Sequence, residues 1–315
     1  MSFLTPILVV IAVWWMGTGL VLFLQQSIAR ANTRLAICLA VVSLFSLTGL
    51  YIGGGGTQAW HSYMGFVAAI CLWGSIELSY YSGLIGGVHK RTCPDSCDTA
   101  KRFRLALGAS IWHEVSVLFA GGVVMSLLLN AQNPAGLYSF LVLWLMRWSA
   151  KLNLFFGVPN FNTDWFPKRL AYAHSYIRRA PVTLFFPLSV VLASLVAIQL
   201  ISSALTMHEQ QALMHILPGV LLLLAILEHV FMALPIADSA LWNRIFSRDD
   251  AQRFPPTEIA QTAADTDRLL SASPAQNIQS RTQARVQSAL GVATNKPVSV
   301  TLNPVDVTAT QSVNR

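Results

Sequence analysis

The chain has 315 residues, of which 54% are hydrophobic and only 11% charged, and its formal net charge is +7. Soluble domains carry about 25% charged residues, so this composition excludes an ordinary soluble protein and indicates one that crosses a membrane several times. The basic residues are concentrated in alternate connections between apolar stretches. That distribution excludes nucleic-acid binding as the reason for the positive charge.

Seven stretches reach the length of about 20 apolar residues that a transmembrane helix needs. In chain order they are Leu4–Gln25, Arg34–Gly53, Tyr63–Val88, Leu105–Leu129, Gly136–Gly157, Pro181–Ala204 and Ala212–Leu234. We therefore expect an all-α, polytopic membrane helix bundle with seven transmembrane helices over residues 1–246. After Ser247 the chain turns polar and loses hydrophobic periodicity, which predicts a disordered tail over residues 247–315.

The distribution of Lys and Arg predicts the orientation of the bundle. Basic residues occur in the first, third and fifth connections and after the last stretch, whereas the second, fourth and sixth connections contain none. Cytoplasmic loops carry the excess of Lys and Arg, so we expect the N-terminus outside and the C-terminal tail in the cytoplasm. An odd number of spans requires the same arrangement.

Ionisable side chains interrupt four of these apolar stretches. They are Glu77, His113, Glu114, Arg147, Lys151, Glu228 and His229. A charge at the bilayer centre costs from ~2.5 to more than ~10 kcal/mol, so such residues face the protein interior and usually mark a function. Counted at about 1.5 Å per residue, all seven lie between the midplane and the cytoplasmic surface, with Glu77 about 17 Å deep. We predict one shared site, with the amide of Asn153 close by.

The residues leave two interpretations of this site open. In the first, buried ion pairs such as Glu77–Arg147 and Glu228–Lys151 fix the register of the helices, because the charges nearly balance. In the second, the site binds a metal, as bundle-core di-iron proteins do, although their Glu-x-x-His spacing is absent. The candidate metal ligands are Glu77, His113, Glu114, Glu228 and His229.

The fifth connection, residues 158–181, alternates aromatic and basic side chains. Aromatic residues beside cations suit a segment in the lipid headgroup layer. An ordinary cytoplasmic loop with a basic surface has the same composition. A partner protein could also dock there, since Trp, Tyr and Arg dominate binding hot spots.

Signatures of catalysis are missing from the sequence. It contains no Gly-x-Ser-x-Gly elbow, phosphate-binding glycine loop, His-Glu-x-x-His motif or dinucleotide fingerprint. Cys93 and Cys97 lack the further ligands of a zinc site, so we interpret them as two reduced thiols. No internal repeat is evident, which disfavours a transporter. The sequence therefore favours a protein that is not an enzyme.

The run from Trp144 to Asn160, WLMRWSAKLNLFFGVPN, resembles the hallmark of the photosynthetic complex assembly protein PuhE family. The resemblance covers roughly residues 1–240, in order. Shorter stretches similar to the same family are 73–77 (WGSIE), 113–114 (HE), 172–179 (YAHSYIRR), 184–189 (LFFPLS) and 228–235 (EHVFMALP).

The resemblance implies an integral protein of the bacterial inner, intracytoplasmic photosynthetic membrane, linked to reaction-centre and core-antenna assembly and to bacteriochlorophyll synthesis. Its implied partners are reaction-centre or core-antenna subunits and pigment-synthesis enzymes. The composition and the charge distribution add membrane lipid as a partner and exclude nucleic acid. The resemblance adds a third interpretation of the site. A bacteriochlorophyll or precursor would bind with a histidine on its magnesium and Arg147 or Lys151 on its carboxylates.

We therefore expect a non-catalytic assembly or pigment-handling factor. The alternative is a membrane metalloenzyme, with iron as its cofactor, that acts on a pigment precursor or a lipid.

Overall fold

The computed structural model describes residues 3–27, 32–94, 97–159 and 167–233. These residues form seven α-helices and one 3-10 helix, with an isolated β-bridge as their only extended pairing. The α-helices are α1 (Leu4–Ser27), α2 (Thr33–Gly54), α3 (Ala59–Tyr81), α4 (Thr99–Leu128), α5 (Ala135–Phe156), α6 (Phe185–Leu205) and α7 (Glu209–Ala233). The 3-10 helix, Lys168–Tyr176, lies between α5 and α6. The predicted tail, residues 247–315, lies outside the described residues.

Six of the seven α-helices are long and apolar enough to cross a membrane, and α5 is not among them. α5 carries Arg147, Lys151 and Asn153, which lower its mean hydropathy. The structure thus confirms a helical, multi-pass membrane protein. The predicted total of seven crossings and their orientation stay predictions.

α3 occupies the centre of the bundle. In its apolar stretch 67% of the residues are buried, against 6% in α1 and 11% in α2 and α6. Small residues allow α2 to approach α3 closely, because a Cβ on Gly53 would lie only 2.7 Å from the backbone nitrogen of Gly65. The outer helices expose large apolar side chains such as Trp15 and Phe45, as expected for surfaces that face lipid.

Successive helices around this centre alternate in direction. α2 runs antiparallel to α3, and α5 runs parallel to α3. The pairs that set these directions are Gly53–Gly65 and Ser43–Ser75 for α2 and α3, and Gly65–Gly136 and Glu77–Arg147 for α3 and α5. Odd-numbered helices therefore end on the same side, where the predicted site residues lie.

α3 ends at Tyr81 and not at the predicted Val88. Gly83 has φ +80°, a left-handed conformation that other residues rarely adopt, and it turns the chain out of the helix. The residues that follow are apolar because they pack against α4, not because they continue the span. Glu77 lies four residues from the helix end, about 6 Å rather than the expected 17 Å.

The other boundaries differ less from the prediction. α4 begins six residues earlier, at Thr99, because the Asp98 carboxylate accepts a hydrogen bond from the Lys101 amide at 2.7 Å and caps the helix. α6 begins four residues later than predicted, at Phe185. α7 begins at Glu209, while its predicted last residue, Leu234, lies outside the described residues.

The connections that follow α3 and α5 pack together, and we call residues 82–94 and 167–183 the cap. The Tyr176 hydroxyl donates to the carbonyl of Arg91, and the Cys93 amide donates to Oγ of Ser175 at 2.8 Å. The described part of the aromatic and basic connection is therefore held against its neighbour. Its position relative to lipid headgroups stays a prediction, and residues 160–166 lie outside the described structure.

Candidate functional site

Glu77, one turn before the end of α3, anchors a group of ion pairs. Its side chain is only 8% exposed, and Oε2 lies 3.0 Å from Nη2 of Arg147 on α5. Oε1 faces Nε2 of His113 on α4 at 3.4 Å. Such partners are needed because withdrawing an unpaired charge from water costs several kcal/mol. The predicted Glu77–Arg147 pair is present.

α4 contributes two adjacent residues, His113 and Glu114. The His113 ring is fully buried and lies against Tyr80, with 4.8 Å between the ring centroids. Its Nδ1 lies 3.4 Å from Oε1 of Glu114, while its Nε2 faces Glu77. The imidazole thus connects two carboxylates, and a neutral ring can donate to only one of them at a time.

α5 supplies the cations. Nζ of Lys151 pairs with Glu114 and lies 3.5 Å from Nδ1 of His113, and Nη2 of Arg147 donates to the Tyr81 hydroxyl at 3.1 Å. The Arg147 and Lys151 side chains are 27% and 25% exposed, whereas the two carboxylates are nearly buried. We call these cations the basic edge. The whole ion cluster consists of Glu77, His113, Glu114, Arg147 and Lys151.

The ion cluster lies next to a break in α4. Ser110 has φ −130° and ψ 15°, outside the helical range. In an unbroken helix the Trp112 amide would donate to the carbonyl of Gly108. Here the Trp112 amide donates to Gly86 at 3.0 Å, and the Gly108 carbonyl accepts from the His89 amide at 3.2 Å. Two hydrogen bonds between the cap and α4 thus replace the helical hydrogen bond that is lost.

Close backbone contact makes this break possible. A Cβ on Gly87 would lie 2.1 Å from the carbonyl oxygen of Gly108, so only glycine fits there without a shift. At the break itself, Oγ of Ser110 donates to Oε1 of Glu114 at 3.2 Å. Irregular backbone at membrane depth is tolerated where protein covers it, as it does here. The break therefore helps to position a carboxylate of the ion cluster.

His229 and Asn153 belong to a separate buried network between α5, α6 and α7. Nδ1 of His229 faces the carbonyl of Ala225 at 2.9 Å and so carries the proton, which leaves Nε2 to accept from Oγ of Ser149 at 3.0 Å. Nδ2 of Asn153 lies 3.4 Å from the same Ser149 oxygen and donates to Oγ of Ser189 at 3.2 Å. His229 is thus a core histidine with partners on both nitrogens.

Glu228 points outward from α7. It is exposed, and its Oε1 accepts a hydrogen bond from the Trp14 indole of α1 at 2.8 Å. The predicted Glu228–Lys151 pair is wrong, because Lys151 pairs with Glu114 instead. Adjacent residues diverge by about 100° around a helix, so His229 faces inward while Glu228 faces outward. α7 therefore adds neither residue to the ion cluster.

The donor set argues against a single metal centre. Within the described residues, no group of three or more His, Cys, Asp or Glu side chains is arranged to hold a metal ion. The predicted ligands are divided among the ion cluster, the His229 network and the outer face of α7. Inside the ion cluster, cations already pair with the carboxylates.

A tetrapyrrole fits this arrangement only in part. Both ring nitrogens of His229 have hydrogen-bond partners, and the fully buried His113 ring lies between the carboxylates of Glu77 and Glu114, each 3.4 Å from a ring nitrogen, so neither histidine presents an open lone pair to magnesium. Arg147 and Lys151, in contrast, are partly exposed cations. The residues therefore fit the predicted pairing with a carboxylate and do not fit ligation of the metal.

Some residues that complete the site were not predicted. Tyr81 follows Glu77 by four positions, so the two share a helix face and both contact Arg147. Ser110 precedes Glu114 by the same spacing, at the break in α4. That spacing is a usable signal. Trp14 gives no such signal, because it reaches Glu228 from α1, which is distant in sequence.

Comparison with known proteins locates the chain among its relatives. A family model described as a protein of unknown function (DUF3623) matches residues 1–253. The chain belongs to this family. It is also 36% identical over 242 residues to a Rhodobacter capsulatus protein described as an uncharacterised 30.4 kDa protein in the puhA 5′ region, covering 75% of this chain and 88% of that protein. No solved structure matches the chain. The family match includes every residue of the ion cluster.

Proposed function

We propose that the protein is an integral membrane assembly factor for the photosynthetic reaction centre and its core antenna, and that it handles bacteriochlorophyll or a precursor at the ion cluster. The Rhodobacter capsulatus relative supports the photosynthetic context, because its description places it in the puhA 5′ region. The resemblance of residues 144–160 to the PuhE family points the same way.

The proposal includes a topology. α5 is the seventh span, since it runs parallel to α3 within the bundle and its charged residues are paired inside the protein. Residues 1–246 form the transmembrane domain, with the N-terminus outside and the tail, residues 247–315, in the cytoplasm. The positive-inside distribution of Lys and Arg supports this orientation. The membrane is the bacterial inner, photosynthetic membrane.

The basic edge is the main evidence that the ion cluster binds a ligand. Arg147 and Lys151 are each about a quarter exposed, and they form ion pairs with the nearly buried carboxylates of Glu77 and Glu114. Guanidinium and ammonium groups present several donors, and the guanidinium fork matches a carboxylate. An unesterified pigment precursor carries such a carboxylate, whereas esterification masks it. The geometry thus favours a precursor acid over the finished, esterified pigment.

In this function the ion cluster binds and does not react. Glu77 and Glu114 fix the two cations, and the cations bind the carboxylate of the ligand. The cap adjoins the same end of α3, because Arg169 donates to the carbonyl of Ser82. A reaction-centre or antenna subunit, or an enzyme of pigment synthesis, would meet the loaded protein at the aromatic and basic surface of the cap.

Binding of two matched pigments tests the site. The purified full chain in mild detergent is titrated with bacteriochlorophyllide, the free acid, and with bacteriochlorophyll, its ester, and absorbance is measured. We expect the acid to bind at least about tenfold more tightly, since a charge-assisted hydrogen bond contributes about 1.5–3 kcal/mol. Arg147→Gln and Lys151→Gln should each remove that preference. Lys101→Gln, an exposed lysine outside the ion cluster, should keep it. Equal affinity for acid and ester contradicts the proposed site.

A second measurement tests the role in assembly. The Arg147→Gln/Lys151→Gln double variant replaces the wild-type gene in the phototrophic host, with Lys101→Gln as control. At equal levels of the protein in the membrane, we expect less reaction centre and core antenna, measured by absorbance of isolated membranes. Normal amounts of both complexes would argue against the assembly role.

A further inference from the structure

The outer face of α7 carries a carboxylate where lipid is expected. Glu228 is exposed, and so are Leu223 and Leu227 of the same helix, at 45% and 48%. Apolar side chains of this size suit a surface in contact with hydrocarbon. A carboxylate among them is the exception that needs a physical reason.

Glu228 lies inside the apolar layer and not at its rim. The next residue, His229, contacts Ser149 of α5, which lies seven residues, or about 10 Å, before the end of that helix at Phe156. Trp14, the partner of Glu228, is near the middle of α1, about 15 Å from one end and 20 Å from the other. The carboxylate is therefore held against the central part of a lipid-facing helix.

The described residues occupy only part of the hydrogen-bond acceptor capacity of this carboxylate. The Trp14 indole donates one hydrogen bond, whereas an ionised carboxylate has about four acceptor positions. Among the described residues, Glu228 forms no ion pair with Lys, Arg or His. Polar residues within membranes commonly bind neighbouring helices through hydrogen bonds or ion pairs. A donor that enters from the lipid side would fill the remaining acceptor positions.

We propose that the face of α1 and α7 around Glu228 docks a transmembrane helix of another protein that carries Arg or Lys at this depth. Charge complementarity defines the partner. A second copy of the chain fits less well, because the basic residues on either side of Ser149, Arg147 and Lys151, already pair inside the ion cluster. This docking surface lies on a different face from the ion cluster and does not depend on pigment binding.

A designed helix tests the docking surface. The labelled full chain is reconstituted into phosphatidylcholine and phosphatidylglycerol vesicles with a synthetic leucine-rich transmembrane helix that carries a fluorescent acceptor. The helix has one Arg about 10 Å from one end, and matched helices have Leu or Glu in its place. We expect energy transfer to the Arg helix to saturate at a helix-to-lipid ratio at least tenfold lower than for the Leu helix.

Two variants distinguish the effect of the Glu228 charge from an effect on the local structure. Glu228→Gln keeps an acceptor for Trp14 and should abolish the preference for the Arg helix. Trp14→Phe removes the indole donor, leaves the carboxylate and should keep the preference. Equal transfer to the Arg and Leu helices, or an unchanged preference in Glu228→Gln, overturns the proposal. Strong transfer between labelled copies without any helix, lost in Glu228→Gln, assigns the face to a second copy and overturns it as well.

Discussion

Glu77 and Glu228 lie near the same side of the helix bundle but in opposite surroundings. Glu77 faces inward between Arg147 and His113, and little of it is exposed. Glu228 faces outward, with the Trp14 indole as its described partner. The inner carboxylate has its countercharge within the chain, whereas the outer one forms no ion pair among the described residues. Depth in the membrane therefore does not determine the role of an acidic residue; the direction in which its helix presents it does.

The largest effect should come from breaking the inner pair. Removing one partner of a buried ion pair costs about 3–5 kcal/mol, because the other charge stays buried without compensation. We expect Glu77→Ala to lower the free energy of unfolding by about 3 kcal/mol, the lower end of this range, because Arg147 is 27% exposed and keeps some contact with water. Titration with dodecyl sulfate in mixed micelles measures the loss.

Two further variants sharpen this first prediction. Glu77→Leu combined with Arg147→Met should recover most of the loss, because replacing both charges by apolar groups is often neutral. Glu228→Gln should change the free energy by less than about 1 kcal/mol, since it keeps a hydrogen-bond acceptor. A loss in Glu228→Gln as large as in Glu77→Ala would erase the contrast between the two carboxylates.

The sequence predicted the surroundings of Glu77 correctly and those of Glu228 wrongly, because it does not show how α7 is rotated about its own axis. The charge balance predicted the Glu77–Arg147 pair, and the structure contains it. It also predicted Glu228–Lys151, which is wrong. A span that is apolar on all sides carries no amphipathic signal that shows which face is inside. Residues 228 and 229 diverge by about 100°, so both could not face the same site.

The predicted depth of Glu77 is wrong for a related reason. Apolar residues continue past Ser82, so the hydropathy of the sequence predicted a span that ends at Val88. In the structure these residues pack on α4 at its break, and hydropathy does not distinguish protein from lipid as the apolar neighbour. Only Gly83, with its positive φ, marked the true end. Six of the seven predicted spans, in contrast, are helices long and apolar enough to cross a membrane, a property that length and composition alone decide; α5 is not among them.

The break in α4 gives the next largest effect. Gly87→Ala introduces a Cβ 2.1 Å from the Gly108 carbonyl oxygen, and overpacking of this kind costs about 1–3 kcal/mol. We expect lower stability together with faster hydrogen exchange at the amides of His89 and Trp112. Gly122→Ala is the matched control, because its Cβ meets nothing within 4 Å. Unchanged exchange at Trp112 in Gly87→Ala would mean that the cap does not hold the break.

The His229 network should respond more weakly. Ser149→Ala removes the donor to Nε2 of His229, and interhelical hydrogen bonds in membrane proteins contribute on average about 0.6 kcal/mol. We expect a loss of about 1 kcal/mol in the same unfolding titration. Ser126→Ala, whose hydroxyl bonds only within its own helix, should leave stability nearly unchanged. A loss as large as that of Glu77→Ala would mean that His229 is coupled to the ion cluster after all.

The smallest effect concerns the cap, where partial burial acts on a titratable thiol. Partial burial and the hydrogen bond with Cys97 raise the pKa of the Cys93 thiol to about 11. Only about one thiol in ten thousand is then ionised at pH 7, and the thiolate is the reactive form. Alkylation of Cys93, followed by peptide mass spectrometry, should accelerate about tenfold per pH unit up to pH 10. A synthetic peptide of residues 90–98 should level off near pH 8.5, so a matching plateau in the intact protein would show that packing in the cap does not hold the thiol protonated.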